Sequence, residues 1–301
     1  MKKRGPYFLR SDGKPEFKSG IRQDATPLMQ IMRVDVVSVQ PTSPISACVS
    51  LMAKSGFKRL PVVLATKRLV GIISALDIAN FFGGGEYYKI VERLGHSFYK
   101  AMEQPVELIM SKDVISVSYD AKIGETVELM IKHDLSLLPI TNKEGVLVGV
   151  VSVRDFLDKA EYSIPDVTVQ EIMKSDVVTV SLNDSVRDAC VKAVNYRRHR
   201  LPVIFNSQVM GIFSTMDLVR YLASSEPYKR LITGTVDEAL NIRVADVATP
   251  EVIYVSPTDR LSKVYRIMCE RKVGYLPVIE NGKLVGYISE KELLRFIVEN
   301  F

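Results

Sequence analysis

Three Ser-x-x-Asp units, Ser74 with Asp77, Ser152 with Asp155 and Ser214 with Asp217, each stand where an apolar strand-like run gives way to a helix-like one. An ionised Asp accepts hydrogen bonds from both hydroxyls of a ribose, and such charge-assisted bonds are the stronger kind. The helix start beside it offers free N–H groups and the positive end of a dipole, which suit a phosphate. Cations stand nearby. Lys58 and Arg59 precede one Leu-Pro pair, Arg198, His199 and Arg200 precede another, and Arg154 directly precedes Asp155. These are the phosphate-binding candidates, and a His with an unperturbed ring would make phosphate affinity depend on pH near neutrality. Ser38, Ser116 and Thr179, each in an upstream apolar run, supply further hydroxyls for a ligand. The same residues have a plainer reading: Ser-x-x-acid is a capping box, and a charged turn is usually solvated. A fourth unit, Ser289 with Glu292, is the better capping pair, and Tyr254 replaces its upstream hydroxyl. There the cap alone is expected.

The elements that must position these residues repeat four times. Leu60-Pro61, Leu138-Pro139, Leu201-Pro202 and Leu276-Pro277 each follow an apolar run, DVVSV, DVISV, DVVTV or EVIYV, and each precedes a second run, LVGIIS, LVGVVS, VMGIFS or LVGYIS. Ser38 to Pro61, Ser116 to Pro139, Thr179 to Pro202 and Tyr254 to Pro277 all span 23 residues, so the copies are in register. Within a copy the order is strand, helix, strand, strand, helix. Ile45, Cys48, Val49 and Met52, like Leu261, Val264, Tyr265 and Met268, fall on one helix face. So small a unit buries too little surface alone, and copies should pack together. Their spacing runs long, short, long, which pairs one with two and three with four and puts the boundary near 160–166.

This pattern of hydroxyl-Val, Leu-Pro-Val and Gly-apolar-apolar-[Ser/Thr]-x-x-Asp resembles the cystathionine-beta-synthase (CBS) domain, and its paired arrangement resembles a Bateman module. Four copies with His199-Arg200-Leu201-Pro202-Val203 in the third are similar to the gamma subunits of AMP-activated protein kinases. The resemblance implies an α/β fold of four tandem CBS repeats forming two Bateman modules in a disc. It implies adenine nucleotides, AMP, ADP or ATP, in clefts between repeats, with ribose at Asp77, Asp155 and Asp217 and a degenerate fourth site. The expected divisions are a basic tail 1–24, repeats at 25–82, 105–162, 163–224 and 244–301, and linker helices at 83–104 and 225–243.

Composition narrows the function classes. The net charge of +5 resides mostly in residues 1–24, which carry seven Lys or Arg against three acids, so the body lacks the basic stripe of a nucleic-acid domain. Cys48, Cys190 and Cys269 form no CxxC or Cys/His pairing, and they read as small reduced core residues rather than metal ligands or disulfides. No apolar run reaches membrane length, from which a soluble cytoplasmic protein without a membrane partner is expected. No nucleophile elbow, Walker loop, HExxH or paired-carboxylate site is readable, so catalysis is not expected. Gly83-Gly84-Gly85 lacks the Lys of a phosphate loop and reads as a flexible linker. The expected role is a regulatory sensor acting on an unidentified partner protein, with homo-oligomerisation open. The competing readings are a protein or RNA adaptor with structural clefts, and an S-adenosylmethionine sensor.

Overall fold

The computed structural model describes residues 24–159 and 164–300, so the basic tail lies almost wholly outside the described residues. Each repeat folds as a helix, an antiparallel strand pair and a second helix. In the first, α1 (Ile45–Ser55) leads to β1 (Arg59–Val63), β2 (Leu69–Ser74) and α2 (Ala75–Gly83). In the second, β3 (Val117–Ser118) precedes α5 (Ile123–Lys132), β4 (Leu137–Thr141), β5 (Leu147–Ser152) and α6 (Val153–Lys159). The third has β6 (Val180–Ser181), α7 (Val186–Asn195), β7 (Arg200–Phe205), β8 (Gln208–Ser214) and α8 (Thr215–Ala223). The fourth has α10 (Leu261–Glu270), β9 (Tyr275–Glu280), β10 (Lys283–Ser289) and α11 (Glu290–Asn300). The stripes read on α1 and α10 are the buried faces: Ile45, Cys48, Val49 and Met52 are wholly buried, and Leu261, Val264, Tyr265 and Met268 nearly so.

The first strand of each copy is shorter than its apolar run suggests. Only Val39, Val117–Ser118, Val180–Ser181 and Val255 pair with their own sheets, in parallel to β1, β4, β7 and β9. Tight turns interrupt the run, with Val36 N–H on Val34 O, Val114 on Lys112 and Val177 on Ser175 at 2.9–3.0 Å. The reason is topological. Arg33 is bonded to Val150 of the second repeat while Val39 is bonded to the first, so the segment between them crosses from one repeat to the other.

Sheets pair the repeats one way and helices the other. Backbone bonds join one to two at Ile72 with Ser111, Leu69 with Gly145 and Lys67 with Leu147, and three to four at Ile212 with Thr249 and Lys174 with Tyr287, all at 2.9–3.0 Å. The helix faces instead pack across the modules. One apolar core merges repeats one and three, where α2 lies on α7 and α8 and α1 lies on α8, and a second merges two and four, where α6 meets α11. Gly83 makes the first contact possible: a Cβ there would lie 2.2 Å from the Cβ of Cys190. Gly83 is thus a buried helix residue, Gly84 is its left-handed cap with φ 109°, and the reading of a flexible linker is corrected.

The long connections are short helices rather than one helix each: α3 (Tyr88–Arg93) and α4 (Phe98–Glu103) in the first, and α9 (Val236–Leu240) with a 3-10 turn at Tyr228–Arg230 in the second. They meet at one edge, Phe98 N–H on Gly234 O and Val236 N–H on His96 O, both at 2.8 Å. Cys48 and Cys190 are buried, and burial pushes the Cys48 thiol to about 12 and the Cys190 thiol higher still, so neither ionises at neutral pH. Among the described residues no group of His, Cys, Asp and Glu could hold a metal, and no helix is long and apolar enough to cross a membrane.

Candidate functional site

Every Ser-x-x-acid unit caps its helix. Ser74 N–H and Oγ both bond Asp77 Oδ2 at 2.7 Å, Ser152 does the same to Asp155 at 2.7 Å, and Ser214 to Asp217 at 2.7 and 2.6 Å. The cap uses one carboxylate oxygen and leaves the other for a different partner, so capping and ligand binding do not exclude each other. Asp217 Oδ1 accepts from Thr249 Oγ1 at 3.3 Å and from Arg220 at 2.6 Å, and Asp155 Oδ1 accepts from Arg33 Nε at 2.9 Å. Asp77 keeps no cation on it among the described residues, and burial pushes its carboxyl up, opposed by the Ser74 bonds and the Arg59 charge.

Two cavities open along the sheet contacts. The one between repeats three and four, about 350 Å³, is lined by Ser214 and Asp217 on one wall and Thr249, Glu251 and Ile253 on the other, with Lys58, His199, Arg200 and Lys272 at its inner end. The other, about 340 Å³, lies between repeats one and two and is walled by Arg33, Val36, Val37, Leu137 and Ser152. Arg33 covers Asp155, which does not line it. Gly56, Lys58, Arg200 and Lys272 line both cavities, which therefore share a floor at the centre of the molecule.

That floor arises where each repeat turns from its first helix into its second strand. Gly56, Asp134, Arg197 and Lys272 all have positive φ there, 74°, 53°, 52° and 52°, and throw the next residues toward the centre. Arg59 donates to Ser136 Oγ at 2.7 Å and to His199 Nε2 at 3.0 Å, so it ties repeats one, two and three together. Because a guanidinium only donates, His199 Nε2 is the acceptor and Nδ1 carries the proton toward Thr215 Oγ1, 3.3 Å away. Burial first, then Arg59 and Lys58, hold the His199 ring well below its ordinary value. His199 is neutral, and the expectation that it confers pH dependence is corrected. Lys58 takes that place: burial, Arg200 and Arg59 lower its ammonium to about 7.

Two predicted phosphate ligands are engaged elsewhere. Arg154 lines the first cavity but donates to Met268 O at 2.8 Å and Val273 O at 3.1 Å and pairs with Glu290, so it binds repeat two to repeat four. Arg198 lines neither cavity: it bonds Tyr287 Oη at 2.9 Å and Asp176 at 2.5 Å. Ser38, Ser74, Asp77, Ser116 and Thr179 line neither cavity, whereas Ser152 and Ser214 line one each.

The CBS domain model matches residues 28–84, 106–162, 169–224 and 244–299. The chain belongs to the CBS-domain family. It is 31% identical over 87% of its length to MJ1225, an uncharacterised protein of Methanocaldococcus jannaschii, covering 95% of that relative. The crystal structure of MJ1225, described as a proposed archaeal homologue of g-AMPK, matches 90% of this chain and 99% of that one with a TM-score of 0.86 at 29% identity. An uncharacterised 33.4 kDa protein of Thermofilum pendens is 26% identical over 81% of each chain. A conserved protein of Pyrococcus horikoshii shares the fold, with a TM-score of 0.57 at 21% identity over 91% of this chain and 100% of that one.

In this CBS-domain chain Tyr275, which lines the Asp217 cavity, and Tyr287 stand in the strand pair that leads to the fourth repeat's cap. Tyr275 and Tyr287 stack with ring centroids 5.2 Å apart, and the Arg198 guanidinium lies 5.4 Å over the Tyr287 ring. Sequence reading missed four residues of the CBS clefts. Lys272 and Glu290 lie on the floor or its margin, and Arg33 and Arg220 sit on the ribose-type carboxylates. Lys272 was legible: it stands five residues before Pro277, as Gly56 and Arg197 stand before Pro61 and Pro202, but it lies outside the two or three residues next to Leu-Pro where cations were sought; nothing local marks the other three.

Proposed function

We propose that the chain is a non-catalytic regulatory module that binds adenine nucleotides, AMP, ADP or ATP, in its CBS clefts and passes their occupancy to a partner protein. The observation that carries this reading is the cavity of about 350 Å³ that joins a buried, helix-capping Asp217 to Lys58, Arg200 and Lys272. A ribose replaces Arg220, half exposed and therefore displaceable, on the free oxygen of Asp217, and the phosphates reach the cations. Ile212, Met216, Ile253 and Val273 offer apolar walls for a base. Lys58, Arg59 and Arg200 are half-buried cations whose desolvation cost falls when an anion arrives, which favours a phosphate ligand over an uncharged adenosyl group. MJ1225, related over most of its length, is itself described as a proposed homologue of g-AMPK.

Titration calorimetry with AMP, ADP, ATP and S-adenosylmethionine tests the reading. Saturable heat with the nucleotides is expected, with affinity at least tenfold weaker in Asp217→Ala and unchanged in Glu292→Ala, equivalent to about 1.4 kcal/mol or more. Absence of heat with every nucleotide would reduce the aspartates to caps and favour the adaptor reading.

A further inference from the structure

We propose that the hairpin tips of repeats three and four form an unlatched clasp, so that the second module opens and closes about its sheet contact while the first module is locked.

The two modules are built alike and finished differently. In the first, residues 64–68 and 142–146 form the hairpin loops, beyond the paired Val63 with Leu69 and Thr141 with Leu147. Lys67 and Gly145 have positive φ there, 61° and 75°, and their carbonyls cross to the other hairpin. Leu147 N–H bonds Lys67 O at 2.9 Å and Leu69 N–H bonds Gly145 O at 3.0 Å, with Arg68 facing Val146 between them. In the second module the loops are residues 205–208 and 280–283, each one residue shorter. Asn206 and Ser207, like Asn281 and Gly282, have positive φ and make tight two-residue turns. Phe205 with Gln208 and Glu280 with Lys283 close these turns, so the alternation of an antiparallel ladder aims the N–H and C=O of Val209 and Leu284 away from their own hairpins. β8 and β10 lie side by side, yet among the described residues no backbone bond joins the two tips. Gln208 and Lys283 are exposed, so water reaches the free groups and the open state buries no orphan.

Both strands run from the clasp to a fixed point. Ile212 and Thr249 exchange two backbone bonds at 2.9 and 3.0 Å, and Lys174 and Tyr287 exchange two at 2.9 Å. Beyond that point β8 ends at Ser214 and its Asp217 cap. Clasp and cap therefore lie on opposite sides of one pivot, and motion at the tips is carried to the cap. The first module has the corresponding contacts, Ile72 with Ser111 and Arg33 with Val150, and the latch besides, so Ser152 and Asp155 are held at two points.

Hydrogen exchange of the full chain, read amide by amide by NMR, tests the difference. The Leu69 and Leu147 amides are expected to be protected, and those of Val209 and Leu284 to exchange about 100-fold faster or more. Disulfide trapping tests closure. Gln208 and Lys283 stand three residues before Gly211 and Gly286, as Arg68 and Val146 stand before Gly71 and Gly149, so they meet when the clasp shuts. A disulfide needs Cα atoms about 4.4–6.8 Å apart. Under mild oxidation Arg68→Cys with Val146→Cys should crosslink, and Gln208→Cys with Lys283→Cys should crosslink fully but about tenfold more slowly. The Ile212 and Thr249 amides should stay protected in that crosslinked form. Equal protection at the four tip amides, or equal crosslinking rates, would show a second clasp that is already shut. Failure of the second crosslink would show one that never shuts, and lost protection at Ile212 or Thr249 would show a module that comes apart instead of pivoting. Each of these overturns the proposal. The exchange measurement uses the unaltered chain and decides the matter even where a cysteine pair prevents folding.

Discussion

At the scale of the residue, Lys58 governs how the site responds to pH. Its folded value of about 7 lies below the ordinary 10.5, because burial and the neighbouring Arg200 and Arg59 disfavour the charged form. The unfolded chain therefore binds more protons between these values, and the ligand-free protein gains stability as pH rises from about 7 toward 10.5. A bound phosphate reverses the local field and restores the ammonium, so binding takes up a proton above pH 7 and phosphate affinity falls as pH rises. Titration in buffers of different ionisation enthalpy at pH 8 should show this uptake, and Lys58→Met should abolish it. Arg59, Arg154, Arg200, Lys272, Asp35 and Glu290 also face the cavity around Lys58, and Lys291 acts on it through its charge.

At the scale of the element, the helix pair α2 and α7 depends on a missing side chain. The α2 C-terminus comes so close to α7 that Gly83 has no room for a methyl group, with Cys190 Cβ 2.2 Å from its place. Gly83→Ala should destabilise the protein by ~1–3 kcal/mol through overpacking, measured by urea unfolding. Cys190→Ala should not, beyond the loss of its sulfur contacts. This contact also shows where sequence reading stops. Buried helix faces, strand pairs and caps follow from local periodicity and from Ser-x-x-acid spacing, so they were legible at Ile45, Leu60 and Ser74. Which buried face meets which depends on residues over a hundred positions apart, and Gly83 reads locally as a linker. The carboxylates were legible because a cap has a fixed spacing. Arg198 was misread for the opposite reason: it sits within the cationic run ahead of Leu201-Pro202, but its place corresponds to Phe57, Leu135 and Val273 in the other repeats, and it bonds Tyr287 and Asp176 instead of the floor.

At the scale of the whole molecule, each module lends its helix faces to the other, so neither half contains a closed core. The merged cores unite repeats one with three and two with four, while the sheets unite one with two and three with four. A piece comprising residues 24–159 would expose the faces of α1, α2 and α6 to water, at about 25 cal/mol per Å² of apolar surface. It should pair with a second copy of itself, and light scattering at micromolar concentration should report a dimer; a stable monomer would mean that the cores are separable. The intact chain has no such requirement, because its own second module covers those faces.

The tyrosine pair of the fourth repeat gains meaning from this arrangement. In a dimer of identical two-repeat chains, an inherited change at the turn before Leu-Pro would appear twice and close two clefts at once. Carrying four copies on one chain frees each to diverge alone. Tyr275 can stack on Tyr287 in one repeat while Arg59 and Arg200, at the places corresponding to Tyr275 in their own repeats, stay cationic. Mutation can therefore change one repeat and leave the shared floor as it is.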